Sequence, residues 1–273
     1  MTRIEQFGWR GEVTPGIGRI VSAHGDYYHL VCNEQPTGEI LARKKKSAFR
    51  NGATLPNTGD FVRFRYNAQG DSMITEVLPR FSHFERKDPT ARRTSQTLAV
   101  NFDTLFVMMS LNENFSTARI DRYLELAADM GEAEAVVVVT KVDLREPGDG
   151  EFLDDLRETV AGRAHILEIS AKTGEGMETL APYFAPGRTV AFIGSSGVGK
   201  STLLNTLAGE EWAAVQEIQE WSGKGRHTTT SRELVMLPNG AMVVDTPGIR
   251  EIGQVGEVDL QLAKGTVSHR YRK

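Results

Sequence analysis

TVAFIGSSGVGKSTLLNTLAG, residues 189–209, joins an apolar strand-like run to a helix former through a glycine-rich octet. The octet, Gly194-Ser-Ser-Gly-Val-Gly-Lys-Ser201, satisfies G-x-x-x-x-G-K-S between a strand and a helix, the context that pattern requires. The spacing has a physical purpose. Glycines let successive backbone N–H groups turn inward around a phosphate, and the helix N-terminus adds its dipole. Lys200 neutralises phosphate charge in binding and catalysis, and Ser201 offers a hydroxyl to Mg²⁺. Gly194, Ser195, Ser196, Gly197, Val198, Gly199, Lys200, Ser201 and Thr202 are therefore the candidate phosphate-binding residues.

Upstream, apolar runs alternate with helix-like segments: strands at 103–110, 135–140 and 164–169, helices at 119–130, 151–161 and 176–184. Such alternation predicts a mostly parallel sheet covered by helices, with ligands at the carboxyl ends of its strands. Two of those ends carry chemistry. The run Val136 to Val139 leads into Thr140-Lys141-Val142-Asp143, and strand 164–169 leads into Ser170-Ala171-Lys172. The Asp143 carboxylate can accept from guanine N1–H and the exocyclic amine, a donor pair that adenine lacks. Lys141 can cover the base, and the Ala171 N–H can meet guanine O6. Alone, Thr-Lys-x-Asp arises easily by chance; two such turns beside a phosphate loop point to guanine.

Downstream, AMVVDTPG (241–248) is an apolar strand ending in Asp245, suited to hold Mg²⁺ through water, and the Gly248 N–H can reach a γ-phosphate. GKGRHTTTSREL (223–234) carries threonines at 228–230, of which Thr229 is the candidate Mg²⁺ ligand and γ-phosphate sensor, although any of the three could serve. The alternative for this segment is an ordinary turn rich in helix breakers. Ile249, after the Pro-Gly turn, cannot orient water, so hydrolysis needs another polar group. His227 is the nearest in sequence, as a catalytic group or as a solvated loop residue.

The first ~80 residues read differently. GRIVSAHGDYYHLVC (18–32), GEILARKKKSAF (38–49), GDFVRFRY (59–66) and DSMITEVLP (71–79) are short β-type runs broken by turns, which predicts a small five-stranded barrel of the oligonucleotide-binding type. Arg43, Lys44, Lys45, Lys46 and Arg50 fall on or beside one connection, where they either meet nucleic-acid phosphates or keep an edge strand from pairing. Residues 1–93 carry 15 Lys+Arg against 10 Asp+Glu, residues 94–273 carry 17 against 26, so only the first part suits a polyanion. The charged stretch 81–96, without clear period, reads as a linker. At 273 residues, 40% hydrophobic and 25% charged, the chain can build real cores, and disorder is excluded. Cys32 is the only cysteine, which rules out an intramolecular disulfide and a Cys-rich zinc site. No signal core or run of ~20 apolar residues is present, so a cytoplasmic protein without membrane contact is expected.

The base-reading turns precede the phosphate loop, the reverse of the order in ordinary small GTPases. With a β-barrel in front, and with GSSGVGKSTLLN, GRHTTTSREL and DTPGIRE as they stand here, residues 10–253 closely resemble the small-ribosomal-subunit-dependent GTPase family RsgA/YjeQ. The resemblance implies an N-terminal OB-type barrel (1–80) followed by a circularly permuted α/β P-loop GTPase domain (97–253). It implies GTP and GDP binding with Mg²⁺, hydrolysis stimulated by the small ribosomal subunit, rRNA contact and a role in late subunit maturation; a monomer is expected. It also supports a catalytic His227. Two features depart from the family. Members usually have Asn where Thr140 stands, which predicts looser base positioning. The family also continues into a helical C-terminal domain with a Cys/His zinc site, which residues 254–273 cannot rebuild with Cys32 in the barrel, so a truncated or atypical tail without zinc is expected. A GTP-controlled RNA-binding switch or chaperone, and a truncated member with impaired activity, are the competing readings.

Overall fold

The computed structural model describes residues 1–50, 52–87, 95–112, 115–209 and 233–245. A one-turn helix α1 (Arg3–Gln6) precedes five strands: β1 (Ile17–His24), β2 (Tyr27–Cys32), β3 (Ile40–Lys44), β4 (Phe61–Arg65) and β5 (Ser72–Val77). Strand β1 pairs with both β2 and β4, β2 with β3, β3 with β5 and β5 with β4, so the circuit closes into a barrel. Alternation selects its interior: Ile20, Leu30, Cys32, Ala42, Val62, Phe64 and Ile74 point inward and are buried. Burial pushes the Cys32 thiol pKa up, which keeps it a neutral apolar filler. The oligonucleotide-binding-type barrel expected for the first 80 residues is thus the observed architecture.

Within the stretch 81–96, read from the sequence as a linker, the described residues 83–87 and 95–96 belong to strands. Strands β6 (His83–Lys87) and β7 (Ser95–Val100) form an antiparallel hairpin, and Phe84, Leu98 and Val100 are buried. A β-bulge between Phe84 and Glu85 breaks the strict alternation, which hides the strand from a period-two reading.

The second unit contains β8 (Thr104–Ser110), α2 (Thr117–Leu126), β9 (Glu134–Thr140), α3 (Asp149–Val160), β10 (His165–Ile169), β11 (Thr189–Gly194), α4 (Lys200–Ala208), β12 (Glu233–Met236) and β13 (Met242–Asp245). Strands β10, β9, β8, β11 and β13 run parallel in that spatial order, and β12 joins β13 antiparallel at the side facing the barrel. Both sheet faces are covered. Val107, Met109, Val137 and Val139 pack under α2 and α3, while Phe106, Met108, Val136 and Val138 pack toward Leu180, Phe184 and Leu203. Residues Met177–Phe184, expected as a helix, form a 3-10 segment with Pro182 inside it. Proline lacks the N–H that an α-helix would use there.

The two units share one seam. Ser22 of β1 pairs with Glu233 of β12, which makes the barrel and the parallel strands a continuous 11-stranded sheet. Beside that pair Arg19 is 1% exposed. Its guanidinium donates to the carbonyls of Phe7 (2.6 Å), Asn101 (2.7 Å) and Gly59 (3.3 Å) and to Thr189 Oγ1 (3.0 Å), and lies over the Phe61 ring. Burial pulls its pKa down to about 9 against the opposing pull of Asp103, which leaves it a cation at neutral pH. Replacing Arg19 by Met leaves several buried acceptors without a donor. The expected loss is about 3 kcal/mol or more in urea unfolding, with Arg19→Lys intermediate because an ammonium cannot reproduce the fork. A midpoint unchanged in Arg19→Met would show that the seam does not depend on this side chain.

Candidate nucleotide site

Strands β8 and β11 are neighbours from which the chain winds away in opposite directions, toward β9 and β10 on one side and toward β13 on the other. In an open α/β sheet such a reversal leaves a crevice at the carboxyl ends of the strands. Thr140, Ile169, Gly194 and Asp245 close their strands at that edge.

The phosphate loop leaves β11 at Gly194, where backbone contact is so close that an added Cβ would lie 2.6 Å from the Met108 carbonyl oxygen. Gly199, with φ at +97°, turns the chain into the first residue of α4 in a conformation that side chains resist. Lys200 Nζ donates to the Gly194 carbonyl at 2.9 Å and so reaches back across the loop. Ser196, Gly197, Ser201 and Thr202 are exposed, Ser195 is half-buried, and the Val198 side chain is buried in the sheet-face core.

Thr140 is nearly fully buried, and its hydroxyl lies 2.6 Å from the Val198 carbonyl and 3.3 Å from that of Met109. The side chain therefore faces the phosphate loop, where it ties the base-reading turn to the phosphate-binding one. A hydroxyl needs no amide-sized reach for this task. Lys141 follows in the left-handed region (φ 59°), a costly conformation for a lysine, and starts the 3-10 turn Val142–Leu144. That turn brings Asp143 Oδ1 within 2.7 Å of Ser170 Oγ, which donates to it; the same oxygen of Ser170 accepts from the Thr173 N–H at 3.2 Å. Ser170 is fully buried, so it acts on Asp143 and not on solvent.

These turns line one cleft of about 290 Å³, near the lower end of small-ligand pockets at ~300 Å³. Thr140, Lys141, Asp143, Ser170, Ala171 and Lys172 line it together with Gly199, Thr202 and Leu203. Leu144, 51% exposed, also lines it and was not legible as a site residue, since a leucine after the aspartate reads as core. Thr206 of α4, equally unforeseen, donates toward the Ala171 carbonyl at 3.4 Å.

Asp245 ends β13, in register with Glu233 of β12. His227, Thr229 and Gly248 lie outside the described residues, as does the tail 254–273. Among the described residues no three His, Cys, Asp or Glu side chains cluster to hold a metal. Ser201 on the first turn of α4 suits Mg²⁺, a hard cation that takes few protein oxygens and keeps phosphate and water ligands.

The family model for the RsgA GTPase matches residues 77–255. This chain belongs to the RsgA GTPase family. Small ribosomal subunit biogenesis GTPase RsgA 2 of Lactiplantibacillus plantarum is 40% identical over 238 residues, covering 86% of this chain and 66% of that protein. RsgA of Leptospira interrogans is 38% identical over 247 residues, covering 88% and 65%. The chain thus spans just under two thirds of the length of these curated relatives. The crystal structure of YjeQ from Thermotoga maritima superimposes with a TM-score of 0.62 at 30% identity, over 85% of this chain and 74% of that one. YloQ, described as a circularly permuted GTPase, shares the fold with a TM-score of 0.56 at 24% identity. The RsgA architecture expected from the sequence, a barrel followed by a permuted GTPase domain, is the one present.

The Thr140 tether makes a specific claim about this RsgA-family chain. Thr140→Val keeps the shape but leaves the Val198 carbonyl without its donor, a loss of about 1–2 kcal/mol in GDP affinity, roughly 5- to 30-fold by calorimetric titration. Unaltered affinity would mean that the tether does not shape the cleft.

Proposed function

We propose that this chain binds GTP and GDP with Mg²⁺, hydrolyses GTP, and acts on the small ribosomal subunit in its late maturation. The observation that carries the reading is the convergence of Thr140, Lys141 and Asp143 with Ser170, Ala171 and Lys172 on a single cleft, which Gly199 at the end of the phosphate loop and Thr202 of α4 also line. Asp143, oriented by Ser170, accepts from guanine N1–H and the exocyclic amine. Lys141 lays its stem along the base and the Ala171 N–H meets O6. The loop 194–199 encloses the phosphates with backbone N–H groups, and Lys200 neutralises their charge. Ser201, Thr229 and Asp245 are the residues that would hold Mg²⁺, which supplies charge neutralisation at the phosphate oxygens. The Gly248 N–H would accompany it at the γ-phosphate, and His227 would hold the attacking water where Ile249 cannot.

The barrel is the candidate rRNA contact. Lys45, Lys46 and Arg50 are exposed in the turn beyond β3, while Arg43 pairs with Asp71 and Lys44 with Asp26. A monomer in the cytoplasm, without membrane contact, completes the proposal; among the described residues no helix is long and apolar enough to cross a membrane. A second reading, an RNA-binding switch reset by hydrolysis, draws support from the seam, since β1 of the barrel pairs with the strand that follows the threonine segment.

Single-turnover GTP hydrolysis with and without small subunits separates the readings. Acceleration by subunits of tenfold or more is expected for the assembly factor, and an unchanged rate with GTP-dependent RNA binding for the switch. Asp143→Asn tests the base contact: GTP affinity should fall while xanthosine triphosphate, whose O2 accepts from the new amide, gains on it in competition. If the two nucleotides compete as before, Asp143 does not read the base.

A further inference from the structure

Asp143 can select guanine only if its carboxylate is held edge-on, yet the turn that carries it is weak by itself. One 3-10 turn, closed by Leu144 N–H to the Lys141 carbonyl (2.9 Å) and Arg145 N–H to that of Val142 (3.1 Å), starts from a strained Lys141. Its entrance is fixed by the Thr140 hydroxyl and its middle by Ser170. Its exit leads through Glu146, Pro147 and Gly148 to α3, a stretch that reaches no strand through its own backbone bonds to Asp149.

The side chain of Arg145 closes that gap. Its Nη2 donates to Glu168 Oε2 at 2.5 Å, and Glu168 lies on β10 opposite Val139, two residues before Ser170. The other carboxylate oxygen of Glu168 accepts from Arg157 of α3 at 3.0 Å, so the carboxylate is fixed from two sides. Arg145 therefore pins the far end of the turn to the same strand that presents Ser170 to Asp143. From this geometry, and resting on the guanine reading above, we infer that the Arg145–Glu168 pair is a positioning element for base selection. Neither residue touches the cleft. They act through Asp143, and the pair's partial exposure limits the effect to a few-fold.

The test compares GDP, inosine diphosphate and adenosine diphosphate by calorimetric titration against the full chain. Inosine lacks the exocyclic amine, so a displaced Asp143 costs GDP more than inosine diphosphate. Arg145→Ala should lower GDP affinity about two- to fivefold, the range of a partly exposed ion pair, and shrink the GDP-to-inosine ratio. Glu168→Gln should shift the ratio the same way, and Arg145→Lys, which keeps a cation within reach, should restore much of it. An undiminished ratio in both Arg145→Ala and Glu168→Gln overturns the inference, as does an equal loss for both nucleotides with a lowered melting temperature, which marks mere support of the fold. Should Arg145→Ala not fold, the Glu168→Gln and Arg145→Lys ratios decide alone. A parent chain that does not prefer GDP to adenosine diphosphate instead overturns the guanine reading.

Discussion

A guanidinium cannot be left in an apolar interior without partners, and Arg19 sits in one. Its acceptors come from four places in the chain: the turn after α1, the loop before β4, the residue after β7 and the first residue of β11. Each must be in place for the charge to be tolerated, so the barrel, the hairpin and the parallel sheet are fixed by one requirement. Asp60 and Arg80 repeat the device nearby. The fully buried carboxylate, pushed up by burial, is held back by a two-pronged contact at 2.8 Å on each oxygen. Asn101 completes the junction from the left-handed region, its side chain spanning Gly59 and Phe81.

That junction bears on the site through β11. Thr189, which accepts from Arg19, begins the strand that ends in Gly194, and the strand is buried along its whole length. The turn after β9 is held differently, by side-chain hydrogen bonds of Thr140, Ser170 and Arg145. The phosphate loop thus continues a buried strand that starts at the junction, whereas the turn after β9 is tied to it through the Thr140 hydroxyl.

Much of this was legible in the sequence, because local rules suffice for it. The octet 194–201 and its flanking strand and helix are contiguous, as are the two turns that end β9 and β10. Hydrophobic runs fully buried on both faces gave β8, β9 and β11 within a residue or so. The hairpin β6–β7 escaped because a bulge and many charges conceal its alternation, although Phe84 and Leu98 are buried. Thr140 was legible as a departure from the family's asparagine, but its contact with the Val198 carbonyl was not. A hydroxyl lacks the bonding range of an amide, and its weakness as a base contact says nothing about its fitness as a tether to Val198.

The sequence by itself determined the RsgA family pattern, the residues that are candidates for phosphate and guanine contact, and most of the alternation of strands and helices. These follow from spacing and side-chain type within a few residues. Only the tertiary structure decided that Arg19 is a buried junction and not one more barrel cation, that Ser170 orients Asp143, and that Arg145 reaches β10. Those roles depend on groups brought together from 12 to 170 positions apart. No periodicity along the chain encodes which side chains meet when strands pair in that order.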